Sequence, residues 1–327
     1  MMKAPAFWWE KPGPLAHLLS PLAAFYGAVA ASRLKQFGTR APRPVICIGN
    51  FVAGGAGKTP LALAVAQLLK AEGEKPVFLS RGHGGTLTGP VLVDEVQHGP
   101  HDVGDEPLLL ARSAPTIIAR DRVAGAFLAA RHGTIIIMDD GMQNPSLQKD
   151  LTVAVIDAGQ ALGNGLCLPA GPLRAPLEAQ LPLVDLCVVV GGQVPQSITQ
   201  TFKERVMSAR LVPDAGMAAA LKGRAVHAFC GIGRPQKFEQ SLRDCGVKLI
   251  RSDAYPDHHM FSRIEIEKLV AEARRNHALP ITTAKDHVRI VAAAPDLADK
   301  IAVLPVTLVF DHEDQIREIL NMRLRAC

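Results

Sequence analysis

The residues best suited to chemistry form a glycine-rich loop that ends in a lysine and a threonine. Residues 54–60 read Gly-Gly-Ala-Gly-Lys-Thr-Pro. Glycines in such a loop let backbone N–H groups turn towards an anion, and a helix that begins near Lys58 adds the positive end of its dipole. Lys58 is expected to reach the outer phosphates of a nucleotide, and the hydroxyl of Thr59 is expected to bind Mg²⁺. The loop therefore predicts binding of a nucleoside triphosphate.

This loop departs from the most common phosphate-loop pattern at one position. Val52 stands five residues before Gly57, where the pattern G-x-x-x-x-G-K-[ST] has a glycine. The sequence is thus of the Gly-Gly-x-Gly-Lys-Thr variety, in which Gly54, Gly55 and Gly57 present the phosphate-binding backbone. A glycine loop without a phosphate role is the alternative. The apolar run before the loop, the Lys-Thr pair and the helix predicted after it favour phosphate binding.

Two carboxylates follow a second apolar run. Asp139 and Asp140 come directly after the apolar residues 135–138, and ligands bind at the carboxyl ends of strands in open α/β folds. An acidic residue at such a strand end commonly holds Mg²⁺ beside the hydroxyl of the phosphate loop. Both aspartates are therefore candidate metal ligands next to Thr59, and a solvated turn is the alternative.

Further charged side chains lie in three other loops. Asp105 is predicted at the start of a helix, where an acidic residue also has the ordinary role of complementing the helix dipole. Arg81 and Arg174 follow apolar stretches, and either guanidinium is suited to a phosphate. Residues 257–259 are Asp-His-His, and three adjacent residues converge poorly on one metal ion. A proton-transfer histidine is the functional alternative to exposed loop histidines.

Alternating strands and helices must position these residues. The pattern predicts an α/β fold with a doubly wound, mostly parallel sheet, because the strands are nearly continuous in apolar residues. The strands predicted for this sheet are residues 45–48, 77–80, 116–119, 134–138, 151–156 and 183–190. Residues 191–222 are polar and weakly periodic, which predicts a linker. A second α/β run without a phosphate loop follows, so the predicted division is an N-terminal segment (1–40), a P-loop domain (41–215) and a smaller domain (216–327).

The N-terminal segment combines positive charge with apolar and aromatic side chains. The formal net charge of the chain is +5, and residues 1–43 account for it, with Lys3, Lys11, Arg33, Lys35, Arg40 and Arg43 against Glu10. Apolar residues from Leu15 to Val29 recur at helical spacing after Phe7, Trp8 and Trp9. This pattern predicts a helix on an anionic membrane surface and argues against a nucleic-acid partner. An N-terminal helix packed on its own domain is the alternative.

A membrane span and a cleavable signal peptide are both disfavoured. The pair Ser20-Pro21 interrupts the apolar residues before it, and the clean apolar run 22–31 is shorter than the roughly 20 residues that a span needs. Glu10 and the two tryptophans are unusual before a signal sequence. The six cysteines include no C-x-x-C pair, which favours a reducing compartment over a disulfide framework.

Taken in order, the motifs closely resemble those of the tetraacyldisaccharide 4'-kinases, the lipid A 4'-kinases of Gram-negative bacteria. The resemblance covers nearly the whole chain. Its motifs are Gly-Gly-Ala-Gly-Lys-Thr-Pro at 54–60, Ser-Arg-Gly-His-Gly-Gly at 80–85, Gly-Asp-Glu-Pro at 104–107, Asp-Asp-Gly-Met-Gln at 139–143, Pro-Ala-Gly-Pro-Leu-Arg at 169–174, Asp-His-His at 257–259 and Lys-Asp at 285–286.

This resemblance implies transfer of the γ-phosphate of ATP to the 4' hydroxyl of a lipid disaccharide 1-phosphate at the cytoplasmic face of the inner membrane. It implies that Lys58 and Thr59 bind phosphates and Mg²⁺, with Asp139 and Asp140 on the metal side. Asp105 would accept the proton of the hydroxyl, and His258 of the second domain would pair with Asp105. The membrane surface and the lipid are the expected partners, and no obligate protein partner is expected.

Three positions depart from the family pattern. His83 replaces the usual tyrosine, Met142 replaces a phenylalanine, and Ala175 replaces a glutamate, so the role of that glutamate cannot be assigned here. The alternative function is a nucleotide-switch ATPase or GTPase that inserts metals or positions proteins, since similar loops occur there. The sequence contains no guanine-specifying [NT]-K-x-D motif.

Overall fold

A computed structural model describes residues 4–325 as a larger, mostly parallel sheet and a smaller parallel sheet, both flanked by helices. Lys3 and Cys327, which entered the charge and cysteine arguments, lie outside the described residues. The helices are α1 (Pro14–Leu34), α2 (Lys58–Ala71), α3 (Pro100–Val103), α4 (Asp105–Ala111), α5 (Arg122–Ala129), α6 (Leu177–Gln180), α7 (Gln196–Phe202), α8 (Ala215–Leu221), α9 (Pro235–Asp244), α10 (Arg263–Arg275), α11 (Ala284–Ala293), α12 (Pro295–Ala298) and α13 (Glu313–Arg325).

The strands alternate with these helices along most of the chain, and 3-10 turns occur at Ala6–Trp9 and Leu181–Leu183. The strands are β1 (Val45–Gly49), β2 (Pro76–Ser80), β3 (Val91–Leu92), β4 (Thr116–Ile118), β5 (Ile135–Asp139), β6 (Leu151–Asp157), β7 (Leu186–Val190), β8 (Val206–Pro213), β9 (Ala225–Cys230), β10 (Lys248–Ala254), β11 (Leu279–Thr283), β12 (Ala302–Leu304) and β13 (Val306–Phe310).

The larger sheet confirms the predicted α/β fold. Its strand order is β13-β8-β7-β6-β1-β5-β2-β4-β3, and its neighbouring strands are parallel except at the two edges, where β3 and β13 run antiparallel. The central strands are buried on both faces, as their continuous apolar sequences predict. Ile48 of β1 pairs with Asp139 of β5. The phosphate loop and the strand-end aspartates therefore leave neighbouring strands at the same sheet edge.

Helix α2 packs on the larger sheet immediately after the phosphate loop. Leu61, Val65 and Leu69 are buried in the main core cluster, which also contains Ile46 and Ile137 of the sheet. Each fully buried aliphatic side chain of this kind stabilises the fold by about 1.5–3 kcal/mol relative to exposure. The loop is thus held between a buried strand and a firmly packed helix.

The linker predicted for residues 191–222 is wrong. These residues form α7, β8 and α8, and β8 pairs parallel to β7 in the larger sheet. Only one face of β8 is well buried, through Met207 and Ala209. The half-exposed strand therefore lacks the continuous apolar run by which the central strands are recognised.

A smaller sheet of four parallel strands, in the order β10-β9-β11-β12, forms a second unit. Two core clusters flank it, one containing Phe229, Ile266 and Ile290 and the other Val226 and Leu242. After β12 the chain returns to the larger sheet. There β13 pairs with β8, and α13 buries Ile316 and Leu320 in the main core cluster. Part of the range 216–327, predicted as the smaller domain, thus packs with the larger sheet.

Helix α1 continues through Pro21 and contains the whole apolar stretch from Leu15 to Val29 that the sequence predicts to be helical. A proline inside a helix removes one backbone donor, and here the hydroxyl of Ser20 donates to the carbonyl of Ala16 at 2.8 Å. Helix α1 meets the length and composition criteria for crossing a membrane, although such a helix near an N-terminus is weak evidence for a span. Only its face at Ala16, Ala23 and Gly27 is buried.

Candidate active site

The phosphate loop opens onto a cavity between the two sheets. This cavity has a volume of about 380 Å³ and is lined by Gly55–Thr59 of the larger unit and by residues 232–234 and 283–285 of the smaller unit. Gly54 and Gly57 have φ angles of 122° and 94°, a region that favours glycine. Helix α2 begins at Lys58, directly after Gly57. The first turn of a helix and a left-handed glycine therefore present N–H groups at the cavity, as a phosphate site requires.

Asp139 is a buried carboxylate beside this loop. It is 1% exposed, and its Oδ1 atom has no hydrogen-bond partner among the described residues. Burial, together with the charge of Glu106, raises the pKa of Asp139 to about 7 despite the opposing charge of Lys58. A buried oxygen without a donor is costly, and a carboxylate oxygen of this kind is a ligand that Mg²⁺ prefers. The site around Asp139 therefore fits a magnesium ion.

Asp140 differs from Asp139 because its carboxylate contacts two cationic side chains, those of Arg174 and Lys58. Arg174 forms a bidentate pair with it, Nη1 to Oδ1 at 2.6 Å and Nη2 to Oδ2 at 3.2 Å. The Nζ atom of Lys58 lies 3.8 Å from Oδ2. Burial alone would raise the pKa of Asp140, but Lys58 and Arg174 lower it to about 2. Asp140 thus pairs with two cations, and its role as a metal ligand stays a prediction.

Asp105 and His258 come together across the two units. The Nδ1 atom of His258 lies 3.2 Å from Oδ2 of Asp105, whereas His259 contacts Glu265 instead. Arg289 of α11 donates from Nε to the same Oδ2 atom at 2.8 Å. Burial would raise the pKa of Asp105, but His258, Lys285 and Arg289 hold it well below its usual range. Asp105 is therefore a carboxylate at all physiological pH values.

Glu106 and Lys285 form a second contact between the units. The Nζ atom of Lys285 donates to Oε1 of Glu106 at 3.1 Å, and both residues line the cavity. Lys285 also lies 3.3 Å from Nε2 of His258. Burial would raise the pKa of Glu106, but the charges of Lys285 and Lys58 lower it. A continuous set of charged groups thus joins the phosphate loop to Asp105.

A buried amide network lies behind Arg174. The Nε2 atom of Gln143 donates to Oε1 of Gln180 at 2.8 Å and to the carbonyl of Asn50 at 2.7 Å. The Nε2 atom of Gln180 donates to the carbonyl of Ala175 at 2.6 Å. Gln180 is fully buried, and Arg174 Nη1 lies 3.4 Å from Oε1 of Gln143. Gln180 therefore orients Gln143, which in turn supports Arg174, at the point where the usual glutamate is absent.

Arg81 is a predicted site residue that does not line the cavity. It is exposed and follows β2. Burial, and to a smaller extent the charge of Arg81, lowers the pKa of Arg122. Arg122 donates from Nη2 to the backbone carbonyl of Asp139 at 3.5 Å. His83, from the same motif, instead lies beside the Asp105–His258 pair. The centre of its ring is 5.9 Å from the centre of the His258 ring.

The family model described as tetraacyldisaccharide-1-P 4'-kinase, or LpxK, matches residues 15–325. The chain belongs to this family. A tetraacyldisaccharide 4'-kinase of Methylobacterium nodulans is 53% identical over 99% of this chain and 96% of the relative, and one of Bradyrhizobium sp. is 47% identical over 99% of each.

A solved structure supports the fold independently. The crystal structure of LpxK from Aquifex aeolicus in complex with ATP matches with a TM-score of 0.74 at 24% identity, covering 95% of this chain and 99% of that chain. Membership of the LpxK family makes the chain a kinase of lipid A biosynthesis. The kinase prediction is confirmed, and the nucleotide-switch alternative gains no support.

Several residues of this LpxK site escaped prediction from the sequence. Glu106 and Lys285 stood within motifs but received no role, and Arg289 and Gln180 were not considered. Arg289 stands three residues after Asp286, whose Oδ1 accepts from Arg289 Nη1 at 2.9 Å. An arginine and an aspartate at this helical spacing signal an ordinary surface ion pair. Nothing local indicates that this pair is buried against Asp105.

Proposed function

We propose that this kinase transfers the γ-phosphate of ATP to the 4' hydroxyl of a tetraacyldisaccharide 1-phosphate. The observation that carries the proposal is the contact between His258 and Asp105. Asp105 directly precedes Glu106, and Glu106 lines the cavity together with Lys58 and Thr59. A carboxylate–histidine pair beside a phosphate loop supplies a proton acceptor for an attacking hydroxyl. The names of the relatives supply the identity of the acceptor.

In this proposal Asp105 orients the 4' hydroxyl and accepts its proton while His258 and Arg289 hold the carboxylate in place. The Oδ1 atom of Asp105 is oriented by the amide of Glu106 at 2.9 Å and keeps a free lone pair for the hydroxyl. A carboxylate with a lowered pKa is a weak base. Phosphoryl transfer has a loose transition state that depends mainly on positioning and charge, so a weak and well-oriented base suffices.

Asp139 and Thr59 would hold the magnesium ion, with Glu106 close enough to affect the pKa of Asp139. When bound, Mg²⁺ neutralises charge that develops on the phosphates. Lys58 binds the outer phosphates and Gly54, Gly55 and Gly57 surround them. Asp140 keeps the cations of Lys58 and Arg174 directed towards the transferred group.

The acceptor is proposed to approach along α1. Its exposed apolar residues and the basic charges of the N-terminal segment suit the cytoplasmic face of the inner membrane. The exposed apolar residues are Leu15, Leu18, Leu22, Phe25, Tyr26 and Val29. A second cavity of about 130 Å³, lined by Tyr26, Arg33, Arg174 and Ala175 among others, joins this helix to the site. Arg174 and Arg81 are proposed to face the anionic groups of the lipid.

The two units are proposed to close over the nucleotide, because Asp105 belongs to one of them and His258 to the other. The division of the chain near residues 40 and 215 remains a prediction. Contacts such as Glu106–Lys285 join the units around the cavity.

Phosphorylation of a purified lipid disaccharide 1-phosphate tests the proposal directly. With ATP and Mg²⁺ the protein is expected to add one phosphate at the 4' position, located by mass spectrometry and NMR. EDTA is expected to stop the reaction. A protein that hydrolyses GTP without phosphorylating this acceptor contradicts the proposal.

A further inference from the structure

A second aspartate at the edge of the larger sheet is held by two cations from the smaller unit. Asp157 ends β6 and is 3% exposed. Arg234 contacts its Oδ1 through Nη1, and Lys237 contacts its Oδ2 through Nζ. The amide of Gly159 also donates to Oδ1 at 2.9 Å. One carboxylate is therefore shared between two cations, and one positive charge is left uncompensated within this group.

Both cations lie at the phosphate loop. Arg234 directly follows Gly233, where an added Cβ atom would lie 3.5 Å from the amide nitrogen of Gly55. Arg234, Lys237 and Asp157 line the same cavity as Lys58 and Thr59. The side chains of Arg234 and Lys237 are 26% and 29% exposed. A group that enters the cavity at the loop can thus reach them.

We propose that Arg234 and Lys237 bind the phosphates of the nucleotide, and that Asp157 holds them in position until the nucleotide enters. This inference rests on the proposed function, to which it adds two phosphate-binding residues from the smaller unit. Triphosphate oxygens carry more charge than a carboxylate and accept forked hydrogen bonds from arginine. The two cations then exchange Asp157 for phosphate, which draws the smaller unit towards the loop.

A plain structural ion pair between the units predicts a different result. If Asp157 only fastens the units together, then its replacement loosens the closed arrangement and weakens nucleotide binding. If Asp157 competes with phosphate for the cations, its replacement frees them and strengthens binding. The sign of one measurement therefore separates the two explanations.

The experiment measures binding of ATP and of AMP, with Mg²⁺, to the full chain by calorimetry. Arg234→Ala and Lys237→Ala are each expected to weaken ATP binding about tenfold or more, because a charge-assisted hydrogen bond is lost. AMP binding is expected to change much less. Arg234→Lys is expected to restore most of the loss. Asp157→Asn, which keeps the side-chain size, is expected to tighten ATP binding several-fold.

Arg263→Ala is the matched control, because Arg263 is an exposed cation of the smaller unit that pairs with Asp296 and does not line the cavity. Thermal unfolding checks that each variant is folded. An Asp157→Asn variant that binds ATP as the wild type does, or more weakly, overturns the inference, as do cation variants with unchanged binding. Phosphorylation of the lipid by the wild type is measured in parallel. Its failure rejects the proposed function, whereas these binding results decide the inference alone.

Discussion

Arg289 donates from Nε to Oδ2 of Asp105 at 2.8 Å, across the boundary between the two units. Its Nη1 atom also donates to Oδ1 of Asp286 at 2.9 Å, and both arginine and aspartates are buried. One guanidinium thus bridges two buried carboxylates and fixes the position of the proposed base. The contact with Oδ2 of Asp105 therefore both stabilises the fold and orients the carboxylate of Asp105.

Replacing Arg289 with methionine is expected to lower the free energy of unfolding by about 3–5 kcal/mol, because two buried carboxylates lose the guanidinium that they share. Chemical denaturation at pH 7 measures the change. Arg263→Met removes an exposed ion pair instead and is expected to cost less than about 1 kcal/mol. An equal decrease in unfolding free energy in the two variants would show that the buried contact contributes no more to stability than the exposed ion pair.

The contribution of Asp105 to the unfolding free energy is expected to decrease at low pH. Its pKa in the folded protein is below the unfolded value of about 3.9, so the contribution is fully present above that value and is lost as pH falls through the folded pKa. The difference in unfolding free energy between wild type and Asp105→Asn is therefore expected to be constant from pH 8 to about 5 and to shrink below about 4. A difference that already shrinks between pH 7 and 6 would mean that the pKa is raised.

Lys58→Ala and Asp105→Ala are expected to separate binding from chemistry. Loss of Lys58 removes a direct phosphate contact and should abolish ATP-dependent phosphorylation of the lipid. Asp105→Ala should lower kcat by about 10²–10⁴-fold while ATP binding persists, because a proton acceptor acts in the chemical step. Stopped assays and calorimetry give the two quantities. Loss of ATP binding in a folded Asp105→Ala variant would assign Asp105 to the nucleotide instead.

Gln180→Leu is expected to raise KM for the lipid several-fold while KM for ATP stays near the wild-type value. The substitution removes one of the two acceptors of Gln143 Nε2, which costs about 1–3 kcal/mol and loosens the support of Arg174. Gln148→Leu, at an exposed amide, is the control. Steady-state kinetics with each substrate varied in turn would contradict the expectation if both KM values stayed unchanged.

Leu18→Ser and Phe25→Ser together are expected to reduce sedimentation with anionic vesicles markedly. These side chains are 77% and 70% exposed on α1, so their removal costs the fold little but removes apolar surface from the proposed membrane contact. Phe127→Ser removes a half-exposed aromatic from α5 and should leave sedimentation unchanged. Unchanged sedimentation of the α1 variant would count against membrane binding through this helix.

Local sequence was enough to predict the phosphate loop and the carboxylates opposite it. Val45 to Thr59 contains a buried strand, a turn and a helix start within one segment, and Asp139 ends an equally clear strand. The parallel pairing of β1 and β5 follows from the fold class, and it brings the two segments together.

Contacts between distant residues were beyond prediction from local patterns. Asp105 and Arg289 are 184 positions apart, and neither has a local sequence signal for the contact. Strand β8 escapes prediction because only Met207 and Ala209 are fully buried in it, so it lacks a continuous apolar run.

The return of β13 to the larger sheet has a consequence for the architecture as a whole. Pro213 pairs with Val306, and the amide of Asp214 donates to the carbonyl of Pro305 at 3.0 Å. The chain therefore leaves the larger unit and re-enters it at adjacent points, so residues 214–305 are an insertion on a two-stranded stem. Bending of that stem would therefore move all the cavity residues of the insertion together.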